Sequence, residues 1–555
     1  MVKKKDRDIV GIQKYKVGVF KSFENINDYF DRSKEILQRE KVNSFFKKYV
    51  QKLIGQELLQ DNLVQPSHFC EFIHDTQIKP FWNTKIQKLA DKLFLPTVDN
   101  IENIQSDKVF QSNTWFKTQE YSSCNDNNYT LKSDCIKPTI KKIVKCRKIV
   151  LFFNETQRKY MREIIGTYRY FHNRCVYFFN NYDKNARKSF YYIDSLDETS
   201  KKIVTVDEDQ NPYHFVTLRD KLDENYPAWI LPNFPSHLIT QSFREASTRF
   251  TTCLDMCKKK GIVFEFKYKT KKEKIQTINL EKEMISLNFN GIFANLYLDG
   301  YLFRNLRASE KISNFTDIKG STLSYNKYLN KFTLNLSYVV KTRITKGKEV
   351  GAIDPGVRRF ITLYSPNKVT IIGEKAIDVL FKMCKEIDII QSRIGMKEYY
   401  IINKETNEKI TRKVTSKRKR SLLKAMHRKI EKLKNMRNEL HNKTIKYLCD
   451  NFKTIIVTTY RCSEMAGKLN SKTARNMYNL AYYSFKQKLI AKAKEMNVRV
   501  IDKPEYFTSK TCSKCGHVNM NLGTNEILNC SKCGLEISRD INGARCILLR
   551  NERYI

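Results

Sequence analysis

The sequence predicts a multidomain α/β protein carrying a four-cysteine metal module, and three observations predict it. The chain has 555 residues, enough for several domains. Its texture is mixed before residue 140, rich in helices and antiparallel strands from 146 to 345, and alternates strands with helices from 349 onward. Two Cys-x-x-Cys-Gly pairs, Cys512/Cys515 and Cys530/Cys533, stand 14 residues apart in the last part of the chain.

In chain order, INDYFDRSKEILQREKVNSFFKKYVQKLI (26–54) has helical patches, and FWNTKIQKLADKLFLPT (81–97) spaces its apolar residues helically before Pro96. The Asn-, Asp- and Ser-rich stretch from 100 to 140 reads as loop or linker. CRKIVLFF (146–153) reads as a strand. The helix over 154–182 opens on Asn154 as N-cap with Gln157 three residues on. Further helices are expected through 214–260. VFEFKYKTKKEKIQTINL, GIFANLYLDGYL and STLSYNKYLNKFTLNLSYVV then alternate with period two, as an antiparallel β-domain does. EVGAIDPGVRRFITLYS (349–365) reads as strand, tight turn and strand. Helices over 375–396 and about 415–450 follow, then FKTIIVTTY (452–460), a helix around 473–495 and VRVIDKPE (498–505).

The chain carries 102 Lys and Arg against 59 Asp and Glu, a formal charge of +43. Such a charge repels itself unless a polyanion neutralises it, so nucleic acid is the leading partner. A membrane surface is the rival. No apolar run reaches the roughly 18 residues needed to span a bilayer, and MVKKKDRDIVG lacks the apolar stretch of a secretory signal. The expectation is an intracellular protein with no membrane partner. On the 154–182 helix, Tyr168 and Tyr170 alternate with Arg158, Arg162, Arg169 and Arg174, a mixture suited to stacking on bases and pairing with phosphates, or to packing aromatics in a core. On the 415–450 helix, Lys417, Arg418, Lys419, Arg420 and Arg428 belong to a nearly all-positive run that points to polyanion contact.

Fifteen cysteines in so long a chain do not make a disulfide scaffold. The paired four differ from the rest: four thiolates complete a tetrahedral zinc shell, and the glycine after each pair allows the knuckle turn. A closed four-cysteine site is structural. Asp354 ends an apolar strand before Pro355-Gly356, and Asp540 opens an apolar helix after the second cysteine pair. Alone, the first reads as a turn former and the second as an N-cap. Together they fit two-metal phosphodiester hydrolysis, in which about three carboxylates from separate elements hold two Mg2+ ions about 4 Å apart. A strand-borne Asp, a later strand-end acid and a helix-start Asp follow the order of an RNase H-like fold.

IDPGVRRFITLY, YFTSKTCSKCG, CSKCG and RDINGAR, in this order, resemble the nuclease half of the Fanzor and TnpB families of transposon-encoded, RNA-guided DNA endonucleases. KIVLFFNETQRKYMREIIGTYRYFHN and FEFKYKTKKEKIQTINL resemble their upstream RNA-binding segment and β-domain. The wording DPG, TSKTC and NGAR is closer to the Fanzor branch. The resemblance covers about 146–550. It implies a RuvC-type, RNase H-like domain (346–508 and 537–555) with a zinc ribbon inserted at 509–536. Upstream it implies a β-barrel wedge domain (261–345) and a strand plus helical recognition lobe (141–260), leaving 1–140 as an extension of unknown role. It further implies a monomeric ribonucleoprotein in which a guide non-coding RNA selects double-stranded target DNA. A nuclear location fits a eukaryotic or viral source.

One departure stands out. TnpB-like proteins carry the middle acid at the end of the second core strand, in a pattern like IVIEDL. Here that strand is IIVTTY, with Thr458 at the acidic position. Either the site is inactive or another acid serves: Glu464, or Glu505 at the end of the next strand. The expectation is a triad of Asp354, Glu505 and Asp540 holding Mg2+, with Arg539 as a candidate phosphate neutraliser. An inactive RNA-guided DNA binder and a strand-joining transposase are the alternatives.

Overall fold

The computed structural model describes residues 81–97, 101–104, 109–110, 114–123, 131, 140–182, 188–192, 201–207, 210–222, 229–230, 234–260, 266–293, 302–396, 398–402, 409–413, 415–459, 470–520 and 525–554. The helical patches expected over 26–54, and Glu464, lie outside these. The chain divides into two compact units, one built on 144–339 and the other on 75–143 with 340–555. Among the described residues no helix is long and apolar enough to cross a membrane.

The first unit sets helices on a four-stranded sheet ordered Lys142–Leu151, Lys331–Lys341, Ser321–Asn326, Ile275–Leu280. The helix Glu155–Asn181 starts on the expected capping box: Gln157 N donates to Asn154 Oδ1 at 2.8 Å and Asn154 N to Gln157 Oε1 at 2.9 Å. Its first half buries Met161, Ile164, Ile165 and Tyr168 with the sheet residues Ile278, Leu323 and Leu334. Its second half packs Phe171, Cys175 and Phe178 with Phe243, Ala246 and Phe250 of the helix Ser236–Lys260.

The second unit is a seven-stranded mixed sheet, ordered Ile101–Ile104, Lys117–Ser123, Lys368–Glu374, Ile361–Tyr364, Glu349–Pro355, Phe452–Thr458, Arg499–Lys503. The first five pair antiparallel in succession, and the last two continue in parallel from Glu349–Pro355. Two strands thus come from the 100–140 stretch that reads as linker. Their polar composition hides them, because edge pairing is carried by main-chain hydrogen bonds. Side chains alternate between two cores. Ile353, Ile455 and Val457 face the helices Ala376–Gly395, Ser416–Asn451 and Tyr482–Met496, while Val350, Ala352 and Ile456 face the final helix Arg539–Arg550 and the helix Thr84–Lys92.

His441 lies in the first of these cores, stacked on Phe360 with ring centroids 5.2 Å apart and its Nε2 2.9 Å from the Leu480 carbonyl oxygen. Burial lowers its pKa to about 4. Below the ordinary histidine value the unfolded chain takes up a proton that the folded protein refuses, so stability is lost as pH falls. At pH 5.5 the cost is about 1.4 kcal/mol for this group. Melting curves at pH 7.5 and 5.5 should show a smaller acid penalty in His441→Gln than in the parent, and an equal penalty would remove His441 as the cause.

Candidate active site and metal centre

The strand Glu349–Pro355 has an antiparallel neighbour on one side and a parallel one on the other. Its carboxyl end is therefore a topological switch point, where open α/β sheets place their ligands. Alternation puts Asp354 on the face of Val350 and Ala352, towards the final helix. There it meets Gly543: a methyl group on that residue would lie 2.3 Å from Asp354 Oδ2. The glycine of RDINGAR is thus the space into which the Asp354 carboxylate fits.

Thr458 ends the next strand, fully buried and paired in register with Lys503 of the strand Arg499–Lys503. Glu505 follows two residues later. Its carbonyl accepts hydrogen bonds from Thr508 N at 3.2 Å and Thr508 Oγ1 at 2.8 Å. The carbonyl of Phe507, which has a left-handed φ of 62°, accepts from Thr511 N at 3.0 Å and Thr511 Oγ1 at 2.8 Å. The two threonines of TSKTC therefore staple the Glu505 loop to Cys512. Glu505 Oε2 and Thr458 Oγ1 are both buried with no hydrogen-bond partner. Burial raises the Glu505 pKa, and the nearby Thr458 hydroxyl pulls the other way.

Asp540 lies in the first turn of Arg539–Arg550, whose N-cap is Ser538, so Asp540 is not the cap. Its Oδ2 accepts from Arg359 Nη1 at 2.9 Å. Burial first, then the charges of Glu505 and Asp540, push the Asp354 carboxyl well above the ordinary range, opposed by Arg539. The structure thus brings Asp354, Glu505 and Asp540 into one electrostatic neighbourhood. Tyr482 belongs to it as well: burial and then Glu505 raise its hydroxyl. Neither Tyr482 nor Arg359 stands out in the sequence, the first being uncharged and the second one of two adjacent arginines. The donor set suits a hard divalent cation: three carboxylates from separate elements, one with a buried oxygen lacking a partner. The carboxylates sit wider than the thiols, which among the described residues form the one group with all donor atoms within 4.8 Å.

That group is Cys512, Cys515, Cys530 and Cys533, and it could bind a zinc ion. Sγ–Sγ distances are 3.7 Å for Cys512/Cys533 and 3.6 Å for Cys515/Cys530. Each knuckle closes through glycine: Gly516 N donates to the Cys512 carbonyl and Gly534 N to that of Cys530, both at 2.9 Å, with φ of 74° and 65°. Trp82 covers the first knuckle so closely that a methyl at Gly516 would lie 2.3 Å from its ring. Asn542 ties the final helix to the ribbon, accepting from Ser513 N at 2.9 Å and donating to the Thr511 carbonyl at 2.8 Å. Arg545, 1% exposed, donates to the carbonyls of Ser513, Ala90, Leu93 and Phe94. It thereby satisfies the free carbonyls where Thr84–Lys92 ends.

The residues expected to contact nucleic acid separate by burial. Lys417, Arg418, Lys419, Arg420 and Arg428 are exposed along Ser416–Asn451. Arg158 and Arg162 face Glu155, and Arg169 donates to Gln276 Oε1 at 3.0 Å. Tyr168 is corrected: it is 1% exposed, its hydroxyl bonded to Glu245 Oε2 at 2.9 Å, and no base can stack on it. Arg174 is likewise buried, its guanidinium 5.7 Å from the Tyr170 ring. Tyr170 meets Trp229 edge-on at 5.3 Å. Trp229 is exposed and lines a cavity of about 520 Å³ with Lys159, Arg162, Arg169, Lys271 and Lys327. A single tryptophan carries no pattern by which the sequence could signal it.

Residues 482–547, which hold Tyr482, Glu505, the four cysteines and Asp540, match the family described as Cas12f1-like, TNB domain. A TnpB-like protein of Acanthamoeba polyphaga mimivirus is 28% identical over 345 residues, 60% of this chain and 60% of that one. The CRISPR-associated endodeoxyribonuclease Cas12f1 of Sulfoacidibacillus thermotolerans is 24% identical over 246 residues, 43% of this chain and 55% of that one. A cryo-EM structure of a Cas12f1–sgRNA–target DNA complex aligns with a TM-score of 0.39 and 14% identity, over 71% of this chain and 83% of that one. The chain therefore spans about 60% of the length of the curated TnpB-like relative it matches. The matched domain and these relatives define a class, the TnpB-like and Cas12f1-like proteins. The chain resembles this class: it carries the matched domain over residues 482–547 and is 28% and 27% identical to two TnpB-like proteins of the mimivirus over 60% of its length.

Proposed function

We propose that the protein is an RNA-guided DNA endonuclease associated with a transposable element, cutting by metal-dependent phosphodiester hydrolysis. The observation that carries this reading is the meeting of Asp354, Glu505 and Asp540 at the carboxyl end of one sheet. Five strands of that sheet, taken in chain order from Glu349–Pro355, run third, second, first, fourth, fifth across it, which supports a RuvC-type, RNase H-like domain. In this reading 346–508 and 537–555 form the nuclease, 509–536 a zinc ribbon, 261–345 the wedge and 141–260 the recognition lobe. Asp354, Glu505 and Asp540 would hold two Mg2+ ions, whose chemistry when bound would be to activate water and stabilise the leaving oxygen. The chain's own part is placement. The Thr508 and Thr511 hydroxyls fix the Glu505 loop, Gly543 gives Asp354 room, and Asn542 anchors the helix that carries Asp540.

A related Cas12f1 is named an endodeoxyribonuclease, and a relative from Paramecium bursaria Chlorella virus 1 is named a putative transposase, which supports the nuclease and transposition parts of this reading. The charge of +43, the exposed basic run at 417–420 with Arg428, and the basic cavity beside Trp229 support an RNA guide and double-stranded target DNA as partners. The reading takes the assembly as a monomeric ribonucleoprotein, intracellular and nuclear in a eukaryotic host. The test is to purify the protein, sequence the RNA that accompanies it, and assay cleavage of matched DNA. Cutting should require both the RNA and a complementary target. RNase-treated protein that cuts with the same sequence preference would refute guidance.

A further inference from the structure

The DPGVRRF turn does more than join two strands. A methyl at Gly356 would lie 2.7 Å from the Arg359 carbonyl oxygen, and Gly356 N donates to the Phe360 carbonyl at 3.3 Å. The turn is therefore tight enough to return Arg359 to the sheet edge that carries Asp354. Its two arginines then part. Arg358 is 67% exposed and pairs with Glu526 at 2.5 Å. Arg359 is 23% exposed and donates through Nη1 to Asp540 Oδ2 at 2.9 Å and Ser538 Oγ at 3.2 Å. A guanidinium thus already occupies lone pairs of a carboxylate that a divalent ion would need. The two cannot share that oxygen without repulsion, and a planar guanidinium released beside a phosphodiester has a natural second acceptor.

We propose that Arg359 is the resident counter-cation of the carboxylate site: it holds Asp540 before a divalent ion binds, competes with the ion for that carboxylate, and turns to a non-bridging phosphate oxygen when the ion takes its place. This rests on the nuclease reading above and adds to it a residue that sets the metal requirement. Three side-chain states follow from one group: paired with Asp540, displaced, and paired with phosphate. No covalent step is involved.

The experiment is a Mn2+ titration of the full ribonucleoprotein without target DNA, followed by calorimetry. Ions held by the RNA are removed by subtracting the Asp354→Asn/Asp540→Asn protein carrying the same RNA. Arg359→Gln should bind Mn2+ about tenfold more tightly than the parent, the loss of one competing ion pair. At saturating Mn2+ its kcat should nevertheless fall about 10²-fold with little change in KM for target, because one charge on the phosphate is gone. A merely structural role would not tighten ion binding. Unchanged or weaker Mn2+ affinity, or unchanged kcat, would overturn the proposal. If Arg359→Gln melts markedly lower, Arg359→Met, which keeps an unbranched stem without the charge, decides: affinity tighter than the parent sustains the proposal, and parental affinity overturns it. The failure of the underlying reading looks different. There the Asp354→Asn/Asp540→Asn protein binds as many ions as the parent, and both proposals fall together.

Discussion

Glu505→Gln is expected to reduce cleavage by about 10³-fold or more while leaving RNA and target binding within about twofold. The substitution keeps the shape of a buried side chain and removes the charge that holds a cation. Asp354 and Asp540 remain, but two carboxylates hold a pair of hard cations poorly. The mutant should also relieve Asp354, whose carboxyl is pushed up by burial and then by Glu505. Single-turnover cleavage and filter binding with the same RNA and target separate the two effects. Near-parental cleavage would remove Glu505 from the site, and loss of target binding in step with cleavage would make its role structural.

Cys512→Ser combined with Cys530→Ser is expected to remove zinc and, with it, nearly all cleavage. The link is the chain of hydrogen bonds from Cys512 back to Glu505. Thr511 and Thr508 close the loop between them, and Asn542 and Arg545 tie the same ribbon to the helix that carries Asp540. Loosening the ribbon therefore displaces two of the three acids at once. A structural zinc contributes about 10 kcal/mol or more in small domains, so the effect should exceed that of any single core substitution. Metal analysis should find about one zinc per parental chain and none in the double mutant. Zinc retained in full would rule out these four residues as its ligands.

Much of this site can be read from residues because its chemistry depends on spacing. The cysteine pairs with their glycines, Asp354 after an apolar strand and Asp540 before an apolar helix are all local patterns. Glu505 enters the candidate site only through the resemblance, which expects an acid where Thr458 stands and so asks for a replacement. Other residues are set by geometry that a linear string does not carry. Arg358 and Arg359 are identical neighbours, and only the tightness of the turn sends one to solvent and one to Asp540. Tyr168 was open to a different error. It lies three, four and seven residues after Ile165, Ile164 and Met161, all buried, so helical phase places it in the core even though arginines flank it in sequence. The strands Ile101–Ile104 and Lys117–Ser123 look like linker because pairing with Lys368–Glu374 asks little of their side chains beyond Thr118 and Glu120, the latter accepting from Thr370 and Tyr447.

The sheet that carries the acids is assembled from both sides of an insertion in the chain. Its outer strands and the helix Thr84–Lys92 precede residue 144, its centre follows residue 340, and Arg545, which caps that early helix, comes later still. During synthesis the intervening unit is complete before the sheet has a middle. The early strands can pair only with each other, and Lys117–Ser123 must wait for Lys368–Glu374 through about 200 residues of translation, which at about 5–20 residues per second is some tens of seconds. On the proposed function, the protein would be silent while it is being made: a chain cut short before the final helix could fold its first unit but would lack Asp540. Expression hosts and chaperones that shelter exposed strand edges should therefore affect the yield of active protein more than its total yield.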